Sequence, residues 1–354
     1  MEQEKPNILN SSLEELEKWI SGHGAEPYRG RQVFQWLYQK GAIGFDEMTD
    51  LPAKLRAELK NNFSIHLPSV AGKNEARDGT TKFLFELFDH ERIEAVLIPE
   101  PEENTLCVSV QVGCKYGCEF CYTATIGFKR SLQSGEIVGQ YLAAKSQYPK
   151  DFKIHRMVIM GMGEALDNFE ELERALNIFK SRQALGFSPR RITVSTAGVA
   201  PKIPEVWKLG VNLAISLNAA DNAKRLRLMP IAKKYPVQEL AKALRALDTS
   251  TRQKLTAEYV MLKGMNDSLQ DADRLAMLLS GLNIRINLIR FNAFPGCEFD
   301  PSDESKVLVF QDRLKKAGFL TFIRKSKGRE ILAACGQLAG IGVRASHYNL
   351  QEKS

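Results

Sequence analysis

What the chain lacks narrows the field first. Its 354 residues hold no run of about 18 apolar side chains, the length a membrane-crossing helix needs. No low-complexity tract is present, and no repeat of roughly 20–50 residues that would mark a solenoid. The opening stretch, MEQEKPNILNSS, is polar and acidic, unlike a secretory leader, so a cytoplasmic location is expected. The five histidines (His23, His66, His90, His155, His347) are scattered. The six cysteines are not spread as a secreted disulfide framework would spread them, because Cys114, Cys118 and Cys121 crowd together while Cys107, Cys297 and Cys335 stand apart. Clustered thiols without a leader point to metal.

Acidic charge is also locally scarce. The formal net charge is +7, but from Ser181 to Tyr235 ten Lys/Arg face only Glu205 and Asp221. Such a stretch attracts a polyanion, with Arg190, Arg191, Lys224, Arg225 and Arg227 as candidate RNA contacts. A solvated basic face is the plainer alternative.

The hydrophobic fraction, 44%, suffices for one large domain and a small one. The first 84 residues read as a helical accessory domain. Ser12 is a plausible N-cap, with Glu15 three residues on, for a helix that ends at Gly22 or Gly24. RGRQVFQWLYQKG carries Val33, Phe34 and Leu37 on one face and stops at Gly41. Pro52 opens a third helix. KFLFELFD and RIEAVLIPE then alternate with period two, which predicts a strand hairpin and linker over residues 85–104.

From Thr105 the pattern is strand, turn, helix, six times over: TLCVSVQV, HRMVIMGMGE, RRITVSTAG, VNLAISLNA, KLTAEYVMLKG and RINLIRFNAFPG each precede a helical segment. Near-continuous apolar strands alternating with helices predict an α/β core over residues 105–345, a partial (β/α)6 barrel, followed by a tail over 346–354. In such folds chemistry sits at the C-terminal ends of the strands.

VGCKYGCEFC spaces its cysteines C-x3-C-x2-C. Three thiolates that close suit three irons of a cubane and leave the fourth open to chelate a small molecule. Structural zinc is the alternative, but it wants four closed ligands, and no fourth lies near. At the strand ends, Gly163 and Glu164 offer a backbone edge and a carboxylate, although a Gly-rich turn needs no ligand. Ser195, Ser216, Leu217, Asn218 and Asn292 complete a ring suited to a ribose, a carboxylate and an adenine edge. Cys107 lies mid-strand seven residues before Cys114, and Cys335 lies among small residues in ILAACGQLAG. A buried free cysteine is the usual fate of each.

These motifs lie in order: TLCVSVQVGCKYGCEFC, MGMGEAL, STAGVAP, LAISLNA, LIRFNAFPG and AACGQLAG. From about Glu94 to Gly340 the chain resembles the RlmN/Cfr family of radical-SAM RNA adenine methyltransferases, and the helical region resembles that family's accessory domain. The resemblance implies a [4Fe-4S] cluster on Cys114, Cys118 and Cys121, and S-adenosylmethionine bound by the strand-end ring. It implies that two S-adenosylmethionine molecules are consumed per methylation. Cys335 matches the cysteine that is itself methylated, Cys107 its disulfide partner, and Glu94 a proton acceptor. Asn218 departs from the family, where His is more usual, and Cys297 has no match. FNAFPG leans toward the RlmN branch, which modifies adenine carbon 2 in 23S rRNA and often in tRNA beside the anticodon. MGMGEAL and LIR lean toward the Cfr branch, which modifies carbon 8. A one-electron donor such as flavodoxin or ferredoxin is implied, and a monomer is expected. A radical-SAM enzyme acting on a small molecule would need neither the basic stretch nor Cys335. A non-catalytic iron–sulfur RNA-binding protein would not need the strand-end ring.

Overall fold

A computed structural model describes residues 5–340 of the chain. The expected tail and the last residues of the expected core lie outside that range.

The helices begin and end where local chemistry requires. Helix α1 (Leu13–Gly22) starts on a full capping box between Ser12 and Glu15. Helix α2 (Arg29–Gln35) runs into a π-helical turn (Trp36–Lys40) that Gly41 closes at φ +72°. Pro52 sits just ahead of α3 (Ala53–Asn62). One expectation fails at this point: the first 84 residues are not all helical. Strands β1 (Ser69–Glu75) and β2 (Thr81–Glu86) follow α3 and pair antiparallel, and β2 pairs with β3 (Arg92–Pro99). SVAGKNE is polar and half exposed. It is a strand because β2 offers an edge, and its own periodicity carries no such signal.

Strand β4 (Asn104–Cys107) joins the meander to the core, antiparallel to β3 and parallel to β7 (Arg156–Ile159). The expected strand TLCVSVQV is thus cut in two. Its second half, β5 (Gln111–Gly113), forms a separate ribbon with β6 (Phe128–Ser131), and the cysteine loop spans between them. Parallel strands β8 (Ile192–Thr196), β9 (Asn212–Ser216), β10 (Leu255–Met261) and β11 (Arg285–Arg290) complete the six expected units. Strand β12 (Thr321–Arg324), unforeseen, adds to the edge. The connecting helices are α4 (Ser134–Lys145), α5 (Phe169–Lys180), α6 (Ile203–Lys208), α7 (Asn222–Leu228), α8 (Val237–Arg245), α9 (Leu269–Leu279) and α10 (Glu304–Lys316). The sheet stays open, ordered β1-β2-β3-β4-β7-β8-β9-β10-β11-β12, as a partial barrel requires.

The helical domain docks on α4 through Gly135, where a methyl group would sit 2.8 Å from Leu9 Cβ. Asn10 seals the contact, accepting from the Gly135 amide at 2.9 Å and donating to Gln133 at 2.8 Å.

Candidate active site

All the expected cysteines meet at the C-terminal end of the parallel strands, and Cys297, which has no expected role, rests its sulfur against the Glu119 carbonyl of the cysteine loop at 3.9 Å. Cys107 ends β4, and the loop after β5 carries Cys114, Cys118 and Cys121. Burial, reinforced by Cys121 and Cys114, pushes the Cys118 thiol well above its ordinary range. Burial likewise lifts Cys114 to about 12 and raises Cys121. Thiols this reluctant to ionise beside one another become thiolates when a metal displaces their protons. Three neighbouring thiols on one loop suit three corner irons of a cubane.

Cys335 reaches the same place from the far end of the chain. Asn292, just after β11, donates to its carbonyl at 3.3 Å, and Gln337 donates to the Ala293 carbonyl at 2.6 Å. Cys335 touches solvent while most of its surroundings are protein. Burial raises its thiol, and the charge of Arg324 opposes the rise. Burial, then the neighbouring Cys335, pushes Cys107 up to about 12. All six cysteines are free thiols, so the implied Cys107–Cys335 bond is not formed in this conformation.

The strand-end ring divides. Asn292 keeps Oδ1 buried without a hydrogen-bond partner, and Ser195 and Ser216 are half-buried at their strand ends; these groups fit a polar ligand. Glu164 is buried and accepts from the amides of Leu166 at 3.0 Å and Ala197 at 2.6 Å. Burial nevertheless lifts its carboxyl to about 7. Gly161 and Gly163 make room for protein: a methyl group on Gly163 would lie 2.5 Å from Gln111 Cβ, and one on Gly161 2.6 Å from Ser109 Oγ. Asn218 is committed to the fold. It adopts φ +56°, which Asn tolerates, accepts from the Val260 amide and donates to the Met229 sulfur. The Leu217 carbonyl is held by Arg225.

Two groups of expected site residues are corrected. Arg225 is fully buried. It donates to the carbonyls of Leu217 and Ala197 at 3.2 and 2.6 Å, and its charge lowers the Cys118 thiol. Arg190 and Arg191 precede β8, at the end of the barrel opposite the cysteines, where Arg191 pairs with Glu103. The basic stretch is therefore not one surface. Lys224 is paired with the buried Asp271. Arg227 is exposed on the site side, where Lys233 and Lys234 line a shallow hollow with Lys115 and Tyr116. A larger hollow of about 610 Å³, lined by Met277, Arg285 and Leu320 among others, opens at the opposite end, away from the chemistry.

Glu94 lies beneath the Cys335 loop, fully buried. It is paired with Lys82 at 3.0 Å and accepts from the Ala339 amide at 2.8 Å. In this conformation no substrate proton reaches it. Lys82 was not legible as a site residue, because the Leu332 carbonyl it holds is remote in sequence; Arg225 was legible as a basic residue, but its carbonyl partners Leu217 and Ala197 were not.

Residues 6–65 match the family model described as the ribosomal RNA large subunit methyltransferase N-terminal domain, and residues 108–276 match the radical SAM superfamily. The dual-specificity RNA methyltransferase RlmN of Syntrophus aciditrophicus is 46% identical over 341 residues, covering 96% of this chain and 98% of the relative. The chain belongs to the RlmN family. The RlmN of Geobacter sulfurreducens is also 46% identical, over 94% of this chain and 92% of its own. The family's fold is borne out by the crystal structure of a radical SAM methyltransferase from Sphaerobacter thermophilus. It superposes with a TM-score of 0.89 at 37% identity, over 95% of this chain and 99% of that one. Membership of the superfamily implies S-adenosylmethionine and a [4Fe-4S] cluster, and the thiol loop and the orphaned Asn292 oxygen fit both.

Proposed function

We propose that the chain methylates carbon 2 of adenine in RNA, acting on one adenosine of 23S rRNA and on a tRNA adenosine beside the anticodon. The observation that supports it best is that Cys335, remote in sequence, comes close enough to Cys107 to raise its thiol, beside the three-thiol loop. The RlmN name of its relatives favours carbon 2 over carbon 8.

Cys114, Cys118 and Cys121 would hold one cluster per chain, and Asn292, Ser195, Ser216, Leu217, Asn218, Gly163 and Glu164 would surround S-adenosylmethionine, two molecules being consumed per methylation. Bound there, the two supply a methyl group and the one-electron chemistry that activates it. Adenine carbon 2 is not nucleophilic, so the methyl group must first rest on the protein. Cys335 loses its proton and takes a methyl group at sulfur by displacement. Once that carbon has given up one hydrogen atom and bonded to the ring, and the ring has shed its proton and one electron, Cys107 attacks the Cys335 sulfur as a thiolate. The sulfur–carbon bond breaks, its electron pair stays with the carbon, which takes up a proton to become the ring's methyl group, and a disulfide remains for external thiols to reduce. Glu94 can accept the ring proton only when the loop above it lifts. No helix among the described residues is long and apolar enough to cross a membrane. The enzyme as proposed works in the cytoplasm as a monomer, reduced by a flavodoxin- or ferredoxin-type donor.

The test separates the two cysteines. With labelled RNA on a denaturing gel, Cys107→Ala is expected to leave a slow covalent protein–RNA band, and Cys335→Ala none. Normal turnover by Cys107→Ala, or the same adduct from both variants, would overturn the relay. Mass spectrometry of the modified RNA distinguishes 2-methyladenosine from the carbon-8 isomer. A non-catalytic iron–sulfur RNA-binding protein would give neither product.

A further inference from the structure

The segment that carries Cys335 has little regular structure of its own, yet it is held at many points. Before the cysteine it leans on the β1–β2 turn. Gly328 donates to Asp78 at 3.1 Å, and a methyl group on Gly328 would lie 2.8 Å from Thr80 Cγ2. After it, Tyr122 donates its amide to the Gly336 carbonyl at 2.6 Å, and Thr123 donates to the Leu338 carbonyl at 2.7 Å. Between these straps lies an ion pair sealed from water, Lys82 and Glu94, with side chains 3% and 1% exposed. Lys82 stands opposite Val96, and Glu94 opposite Leu84, so the two are diagonal neighbours on one face of β2 and β3.

Each partner also holds the loop. Lys82 Nζ donates to the Leu332 carbonyl at 3.2 Å, and Glu94 Oε2 accepts from the Ala339 amide at 2.8 Å. Leu332 has φ +52°, a conformation that a leucine keeps only when its surroundings over-determine it. Ser109 fixes the base of the clasp by donating to the Glu94 carbonyl at 2.6 Å. A buried pair is a poor source of stability alone. This one grips the methyl-carrier loop on both sides of the cysteine.

We propose that Lys82 is a positioning residue: with Glu94 it forms a buried clasp that grips the loop at Leu332 and Ala339, presenting the Cys335 sulfur to Cys107. The proposal rests on the proposed function only in taking Cys335 as the methyl carrier. Clasping raises the effective concentration of one sulfur at the other, a quantity that can be read without RNA.

The test uses the anaerobically reconstituted holoenzyme and the double variant Lys82→Met/Glu94→Gln, which removes both charges at similar volume. Two readouts are followed: hydrogen exchange over residues 332–339, and the rate of Cys107–Cys335 disulfide formation in oxidised glutathione, by mass spectrometry. The expected result is faster exchange confined to that segment, disulfide formation slowed about tenfold or more, and substantial recovery in Lys82→Arg. RNA methylation should fall through kcat, with the KM for RNA little changed. A folded double variant with wild-type exchange and disulfide rates would overturn the proposal. If the double variant does not fold, the unaltered enzyme decides. Its Ala339 amide should exchange about a hundredfold or more slower than in a free peptide, and free-peptide exchange would overturn the clasp. Absence of RNA methylation by the unaltered enzyme would instead strike the proposed function, leaving exchange and disulfide formation to judge the clasp.

Discussion

Single side chains carry the chemistry, and their legibility depends on how far away their partners lie. The cysteine triplet declares itself within one short segment, and substitution of Cys114, Cys118 or Cys121 by Ala is expected to bring iron content and visible absorbance near background. Retained iron in any of the three would remove that cysteine from the ligand set. Lys82 gives no signal, because its partner Leu332 is 250 positions away. Glu164 is legible as a strand-end carboxylate, but its ionisation is not. Burial lifts it from 4.5 to about 7, so between those values the folded chain holds a proton that the unfolded chain has lost. Its contribution is present in full below pH 4.5 and is lost as pH rises through about 7. Cofactor-free protein should therefore lose stability relative to Glu164→Gln across that window, by up to on the order of 3 kcal/mol. Urea midpoints at several pH values check this, and parallel curves for the two proteins would contradict it.

At the level of elements, local rules fixed boundaries well and partners badly. Ser12 and Glu15 set the start of α1, and Gly41 closes the turn after α2, because capping is a matter of adjacent residues. The strand β1, the break after Cys107 and the added edge β12 depend on which chain lies alongside, and no window of sequence contains that. Gly30 makes the same point. In an exposed helix, Gly→Ala usually stabilises by about 1 kcal/mol. Here a methyl group on α2 would meet Glu17 of α1, 2.7 Å from its Cγ and 3.0 Å from its amide nitrogen. Gly30→Ala is therefore expected to destabilise by about 1–3 kcal/mol, seen as a lower urea midpoint. Stabilisation would mean that the two helices separate at little cost.

Across the whole molecule the basic stretch, continuous in sequence, is divided by the barrel. Arg190 and Arg191 stand with Arg156 and Glu103 at the entry ends of the strands, whereas Lys115, Lys233 and Lys234 border the cysteine end. Charge reversal at Arg227, Lys233 and Lys234 should weaken RNA binding and flatten its salt dependence, by roughly 0.7 in log–log slope for each phosphate no longer neutralised. Reversal at Arg190 and Arg191 should do much less. Equal effects in titrations at several salt concentrations would show RNA gripping both ends. The straps from Tyr122 and Thr123 also give the enzyme a particular way of ageing in air. These residues directly follow the last cluster cysteine and hold the carbonyls of Gly336 and Leu338, so a chain stripped of its iron loosens its grip on the methyl carrier as well. Oxygen would then injure it twice, first at the metal and next at a thiol left to climb toward sulfinic acid. Refilling with iron and sulfide should bring back the brown colour sooner and more completely than turnover. The shortfall should grow with hours of exposure and match the fraction of Cys335 found over-oxidised.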